Sequence, residues 1–155
     1  MLSIASLLHV LFAVIWVGGM FFAWVILRPV SAQVLEPPER LMLWRRVLAK
    51  FFVWVWKAVV LILLSGYWMG FSLWQQMANW PLHAHVMHGL GWIMVVLFLL
   101  VFFLPFRQLR QAVDAQDWPA AAGSLAAIRR LVGINLVLGL VVVVVASGGR
   151  FGLLG

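Results

Sequence analysis

Four histidines carry the obvious chemistry of this 155-residue chain, and three of them fall in one short segment, 83-HAHVMHG-89. Imidazole is the commonest metal ligand and the usual proton carrier near neutral pH. His83, His85 and His88, with Met87 between them, offer nitrogen and thioether donors of the kind that suit copper, sulfur favouring Cu(I). His9 stands seventy-odd residues away but belongs to the same question. Two imidazoles on opposed helices can instead hold a haem iron from both sides. The blander reading is that histidines near the end of an apolar run rest at a membrane surface, where they reach water.

The elements that position these residues follow from composition. Of the whole chain 66% is hydrophobic and 10% charged, a balance that suits a bilayer, whose core of ~30 Å takes roughly 20 helical residues to cross. Four apolar runs are long enough, at about 3–27, 47–73, 83–106 and 125–147. Backbone in lipid must satisfy its own hydrogen bonds, so each run is expected to be a helix. The runs are apolar all round and do not alternate, which argues against strands. The fold class expected is an all-α integral membrane protein, an antiparallel four-transmembrane-helix bundle in one membrane domain over 1–155. The first run lacks the basic start and cleavage site of a secretory signal and is kept as a span.

Lysine and arginine asymmetry gives the orientation. Loop 28–46 contains Arg28, Arg40, Arg45 and Arg46, and loop 107–124 with its flanks contains Arg107, Arg110, Arg129 and Arg130. The connection 74-WQQMANWPL-82 has no charge. Positive residues stay inside, so both loops are expected in the cytoplasm and both termini on the outer, periplasmic side of a bacterial inner membrane. Arg150 alone dissents. Trp74, Trp80 and Trp118 fit the aromatic belts of the two interfaces, and 36-EPPERLMLWRRVLAKF-51 reads as a short surface helix. The net charge of +7 thus has its cause in orientation, and no basic face remains for nucleic acid. With no cysteine, disulfides and thiolate metal sites are excluded.

The third span echoes the first. His9, Trp16 and Pro29 recur as His85, Trp92 and Pro105, offset by 76 residues. Seven residues return to nearly the same helix face, so each histidine shares a face with its tryptophan. In an up-down-up-down bundle, spans one and three lie diagonally across the core at matched depth. This arrangement makes haem b the first cofactor to expect, held by His9 and His85, with His88 as the alternative partner and Trp16 and Trp92 flanking the ring. A copper site formed by His9, His83, His85, His88 and Met87 is the alternative.

Two polar residues lie inside spans. Lys57 is ten residues into the second, and Asn135 lies at a similar depth in the fourth. Intramembrane polar groups tend to face the bundle interior and to have a role, so this pair is a candidate polar site, against the simpler reading that Lys57 snorkels. There is no nucleophile–base arrangement and no carboxylate within a span, so neither hydrolytic nor transferase chemistry is indicated. Membrane oxidoreductase chemistry stays open, with catalytic residues unassigned.

The stretches 8-LHVLFAVIWVGGMFFAWVILRP-29, 65-SGYWM-69 and 129-RRLVGINLVLGLVVVVVASG-148 resemble the copper resistance protein D family and, more distantly, HemJ-type membrane haem proteins. The first resemblance implies copper uptake or tolerance in a bacterial inner membrane, an architecture similar to membrane b-type cytochromes, and His9 at the family's first-span histidine position. The chain has four spans where longer members have more, so a complete transport path implies a homo-oligomer. The functions to weigh are therefore a b-type haem protein passing electrons among quinone or periplasmic partners, a copper-binding or copper-uptake protein using the same histidines, and a structural accessory subunit of the lipid bilayer.

Overall fold

The computed structural model describes residues 1–150, and side chains through Gly149. It is all-helical, with four long apolar helices: α1 (Leu2–Val34), α2 (Pro37–Trp74), α3 (Leu82–Asp114) and α4 (Trp118–Arg150). The C-terminal stretch 151–155, expected to face outward, lies outside the described residues.

Pairings between helices establish the topology. His9, Gly19 and Ser31 of α1 meet Ser65, Phe51 and Trp44 of α2, in descending order. Tyr67 and Phe52 of α2 meet His88 and Phe106 of α3. His83 and Met94 of α3 meet Gly149 and Asn135 of α4. Every sequential pair is antiparallel. The backbones of α1 and α3 do not pack together, whereas α4 touches both α1 and α2, which gives the diagonal placement expected of the first and third spans.

The helices run further than the apolar runs. Residues 28–46 were expected as a loop with a short surface helix; α1 instead continues to Val34 and α2 begins at Pro37. Likewise 107–124 is helical apart from a turn at 115–117. Hydropathy marks where lipid ends, and a helix need not stop there. At 1.5 Å per residue, the 38 residues of α2 reach roughly 57 Å, well beyond the ~30 Å of hydrocarbon. Its first turns, with Arg40, Arg45 and Arg46, therefore project past the apolar zone. Arg45 forms an ion pair at 2.7 Å with Asp114 at the end of α3; both are solvent-facing, so it aligns the helices more than it stabilises them.

The two prolines behave differently. Pro105 breaks α3 at Leu104 (φ −105°, ψ −88°), because proline lacks an N–H and crowds the preceding turn. Pro29 is carried through α1 by the π-helical segment Phe22–Leu27 just before it. There the Arg28 N–H bonds to the Ala23 carbonyl, one residue further back than in an α-helix, and this wider turn accommodates the ring.

Packing is uneven along the bundle. The arginine-bearing half is filled by aromatic edges: Trp16 on Phe98 (6.3 Å between centroids), Phe52 on Phe98 (5.7 Å) and Phe52 on Phe106 (4.8 Å), with Leu109, Leu125 and Ile128 buried around them. Ile4, Leu7, Val14, Val53, Leu64, Val137 and Val144 are exposed on the outer surface, as lipid-facing side chains must be. Gly19 lets α1 approach α2, since a Cβ there would run into the Phe51 ring, while one on Gly18 would meet nothing within 4 Å. Gly19→Ala should destabilise the protein by about 1–3 kcal/mol through overpacking. Gly18→Ala should be neutral or slightly stabilising, because alanine is the better helix former; thermal unfolding of the two variants in detergent checks the contrast.

Candidate functional site

The histidine-bearing half of the bundle is open where the other half is packed. It holds a cavity of about 460 Å³, almost wholly apolar, with Trp16 and Met94 at its floor and Trp74 and Trp80 near its mouth. Its polar and sulfur-bearing lining is His9, His83, His88, Met69, Met87 and Met94, beside Tyr67. On α3, His83, Met87 and Met94 are spaced by four and seven residues and share one face. They descend the cavity over roughly 16 Å of helical rise.

His9 is the most firmly held of these side chains. Its Nδ1 lies 3.1 Å from the Ile62 carbonyl and 3.1 Å from Ser65 Oγ. A carbonyl can only accept, so Nδ1 carries the hydrogen and Nε2 is left with its lone pair. Ser65 donates its own hydroxyl to the Leu61 carbonyl at 2.5 Å, which orients Oγ to accept from the imidazole. Gly66 makes the space, since a Cβ there would sit 3.1 Å from His9 Cε1. A backbone carbonyl fixing the tautomer of an imidazole is the usual support behind a metal-ligating histidine.

His88 has a different setting. Tyr67 Oη is 2.8 Å from its Nε2, and the Trp92 indole N–H donates to Tyr67 Oη (3.1 Å) and towards His88 Nε2 (3.2 Å). Indole nitrogen donates only, so Tyr67 receives from Trp92 and passes its own hydroxyl hydrogen to His88 Nε2. The His88 lone pair is thus occupied at rest. Trp80 covers the group, 5.7 Å from the His88 ring and 6.4 Å from Tyr67. It reaches inward because Gly70 leaves room for its ring.

The remaining residues fall as follows. His85 does not line the cavity; it is exposed, its ring 6.1 Å from that of Trp80. His83 lines the mouth and packs on Gly149. Trp16 is buried at the floor whereas Trp92 is 41% exposed, so the repeated His–Trp pairs occupy unlike environments. Lys57 and Asn135 are not hydrogen-bonded to each other. Lys57 is exposed, its Nζ 4.5 Å from the Trp54 ring centroid. Asn135 is buried and donates to the Met94 carbonyl at 3.3 Å, tying the cavity floor to α4.

Sequence reasoning gave no role to Ser65, Tyr67, Met69 or Met94. The signal was present on α2, where Ile62, Gly66, Met69, Gly70 and Leu73 recur at steps of three and four and mark one helix face. Among the described residues, no three His, Asp, Glu or Cys side chains come close enough together to share one ion. On α3 the donors His83, Met87 and Met94 are spread along the cavity wall.

This fold and lining define a multi-pass α-helical membrane protein with a histidine- and methionine-lined chamber at one end. Residues 45–148 match the copper resistance protein D family, and the chain belongs to that family. The matched stretch runs from Arg45 through α4 and includes His83, His85 and His88, while His9 lies before it. No curated relative and no solved structure matches the chain.

The two histidine settings respond to different substitutions. Tyr67→Phe should shift the imidazole ¹⁵N signals of His88 and leave those of His9 in place, and Ser65→Ala should do the reverse. Each should cost about 0.5–1.5 kcal/mol of stability for the bond removed; side-chain ¹⁵N spectra of histidine-labelled protein separate the two.

Proposed function

We propose that the chain is a copper-binding protein of the bacterial inner membrane, taking Cu(I) into the chamber as cargo. The observation that carries the reading is the lining of that chamber, where three imidazoles and three thioethers face one apolar space. Thioether sulfur selects Cu(I), and imidazole suits copper in general. Cu(I) is content with few ligands, so a dispersed row of soft donors fits it better than it fits zinc, which demands a converged tetrahedral set. Membership of the copper resistance protein D family supports the same reading. Positive residues lie at the opposite end, so the positive-inside rule turns the chamber mouth outward, towards the periplasm.

On this reading His9 is the ligand prepared in advance, through Nε2. His88 becomes available when Tyr67 rotates its hydroxyl away. His83 and Met87 would receive the ion at the mouth, and Met69 and Met94 would accompany it inward. Copper is supported better than haem: of the two partners expected opposite His9, His85 stands outside the chamber, and His88 lines it with its Nε2 engaged by Tyr67 and Trp92. Passage beyond Trp16 and Met94 would require the packed aromatic half to open or a second copy to complete the path.

The test is competition for Cu(I) between the purified full chain and a coloured chelator. Copper should bind near stoichiometrically, and His9→Ala or the pair Met69→Leu/Met94→Leu should weaken it by roughly tenfold or more, about 1.4 kcal/mol. His85→Ala should change little. Retention no better than that of lipid alone, or retention indifferent to both changes, would sink the copper reading. A Soret band in the purified protein that disappears with His9→Ala would turn the assignment to haem.

A further inference from the structure

At the opposite end, a second cleft, of about 550 Å³, opens between α1, α2 and α4 and is lined by Arg28, Arg40 and Arg129 beside Trp24. No carboxylate lines it, and among the described residues none of these three arginines forms an ion pair. Like charges at this proximity repel, and gathering them without a counter-charge is unfavourable. The cleft is nonetheless carefully built. The Arg28 guanidinium lies 5.0 Å from the Trp24 ring centroid, and that of Arg129 lies 5.7 Å from the Trp44 centroid. Trp24 in turn donates its indole N–H to the Arg129 carbonyl at 3.2 Å. A guanidinium in contact with an aromatic ring keeps N–H donors with which to meet an acceptor. Arg129 Nε is buried and has no hydrogen-bond partner. Three guanidinium groups lining one cleft without a carboxylate are the chemical complement of an anion.

We propose that this cleft binds a phosphate group, supplied by the head group of an anionic phospholipid. Fork-shaped guanidinium edges match phosphate oxygens, and basic pockets between helices at the charged membrane surface are suited to lipid head groups. The position agrees: Arg28 directly follows the apolar run of α1, where lipid phosphates lie. Phe22 and Val25, exposed on α1, continue from the cleft along the lipid-facing surface and provide apolar contact for an acyl chain. The π-helical segment Phe22–Leu27 is part of the same construction, since it sets the directions of Trp24 and Arg28, and such segments occur frequently at functional sites.

The experiment is native mass spectrometry of the full chain released from detergent, with phosphatidylglycerol or phosphatidylcholine added, and with inorganic phosphate in a separate arm. Wild type should retain phosphatidylglycerol over phosphatidylcholine. Arg28→Gln/Arg40→Gln should lower that retention by roughly tenfold or more, since two charge-assisted contacts are lost. Arg107→Gln/Arg110→Gln removes the same charge from exposed positions elsewhere and should leave retention unchanged. Inorganic phosphate that binds the wild type and not the cleft variant, with no preference between the lipids, would keep the phosphate site and assign a soluble source. Equal retention of both lipids with no phosphate binding, or equal losses in the two double variants, would overturn the proposal. Both variants leave the histidine chamber intact, so the result is independent of copper.

Discussion

The contact between Trp16 and Phe98 sets the depth at which this bundle closes. α1 and α3 have no backbone contact, so only large side chains can meet across the axis between them, and the indole of Trp16 meets the edge of Phe98. Phe52, Trp56 and Phe102 complete the layer from α2 and α3. Edge-to-face aromatic pairs contribute about 0.5–1.5 kcal/mol each beyond their burial, which in lipid is a large share of what holds helices together, because hydrocarbon offers no hydrophobic drive between them. Beyond this layer the side chains facing the axis become small, with Ala13, Gly66, Gly70, Gly91, Gly139 and Ala146 in succession. Gly66, Gly70 and Gly139 there make room for His9, Trp80 and Val17, and a Cβ on Gly91 would meet nothing within 4 Å.

That division also explains how His9, a polar side chain, is held half-buried inside the bundle. An imidazole placed in the aromatic half would have to find partners among side chains that have none. In the open half, α2 offers a carbonyl and a hydroxyl from the turn between Leu61 and Ser65, where Ser65 already bonds backward to its own helix. The imidazole therefore satisfies one nitrogen on the helix wall and presents the other to the cavity. His88 achieves a closed network with Tyr67 and Trp92. Two histidines at the same end thus differ in readiness: one nitrogen is free by construction, the other only when a neighbouring hydroxyl gives way.

Much of this was legible in the sequence, and the boundary of legibility is physical. Four apolar runs must be helices in lipid, and their order with short connections leaves little choice but alternating directions. The charged segments were harder to read, because hydropathy reports the edge of the hydrocarbon; the apolar run of α2 begins at about residue 47, whereas the helix already begins at Pro37. The His–Trp–Pro repeat correctly indicated that the first and third spans lie on a diagonal. It pointed to His85 as the counterpart of His9, and His85 does not line the chamber. His85 and His88 are three residues apart, and the pitch of α3 brings His83, Met87 and His88 to the chamber while His85 stays outside it. A repeat in sequence fixes depth along a helix far better than rotation about it, since one residue of register changes the direction by about 100°. The roles of Ser65 and Tyr67 depended on the same rotation of α2.

The two ends of the molecule also constrain one another. A copper ion held in the chamber is a cation separated from Arg28, Arg40 and Arg129 by the aromatic layer, in a region of low dielectric where Coulomb repulsion carries far. If the chamber is to receive cations, the arginine end should not remain a bare cluster of positive charge. A phosphate in the cleft would neutralise part of that field. The same anion would stabilise the join between α1 and α4 where Trp24 crosses to the Arg129 carbonyl, beneath the aromatic layer that forms the chamber floor. On these two readings together, the lipid at one face contributes to the electrostatic conditions under which the other face can hold a metal.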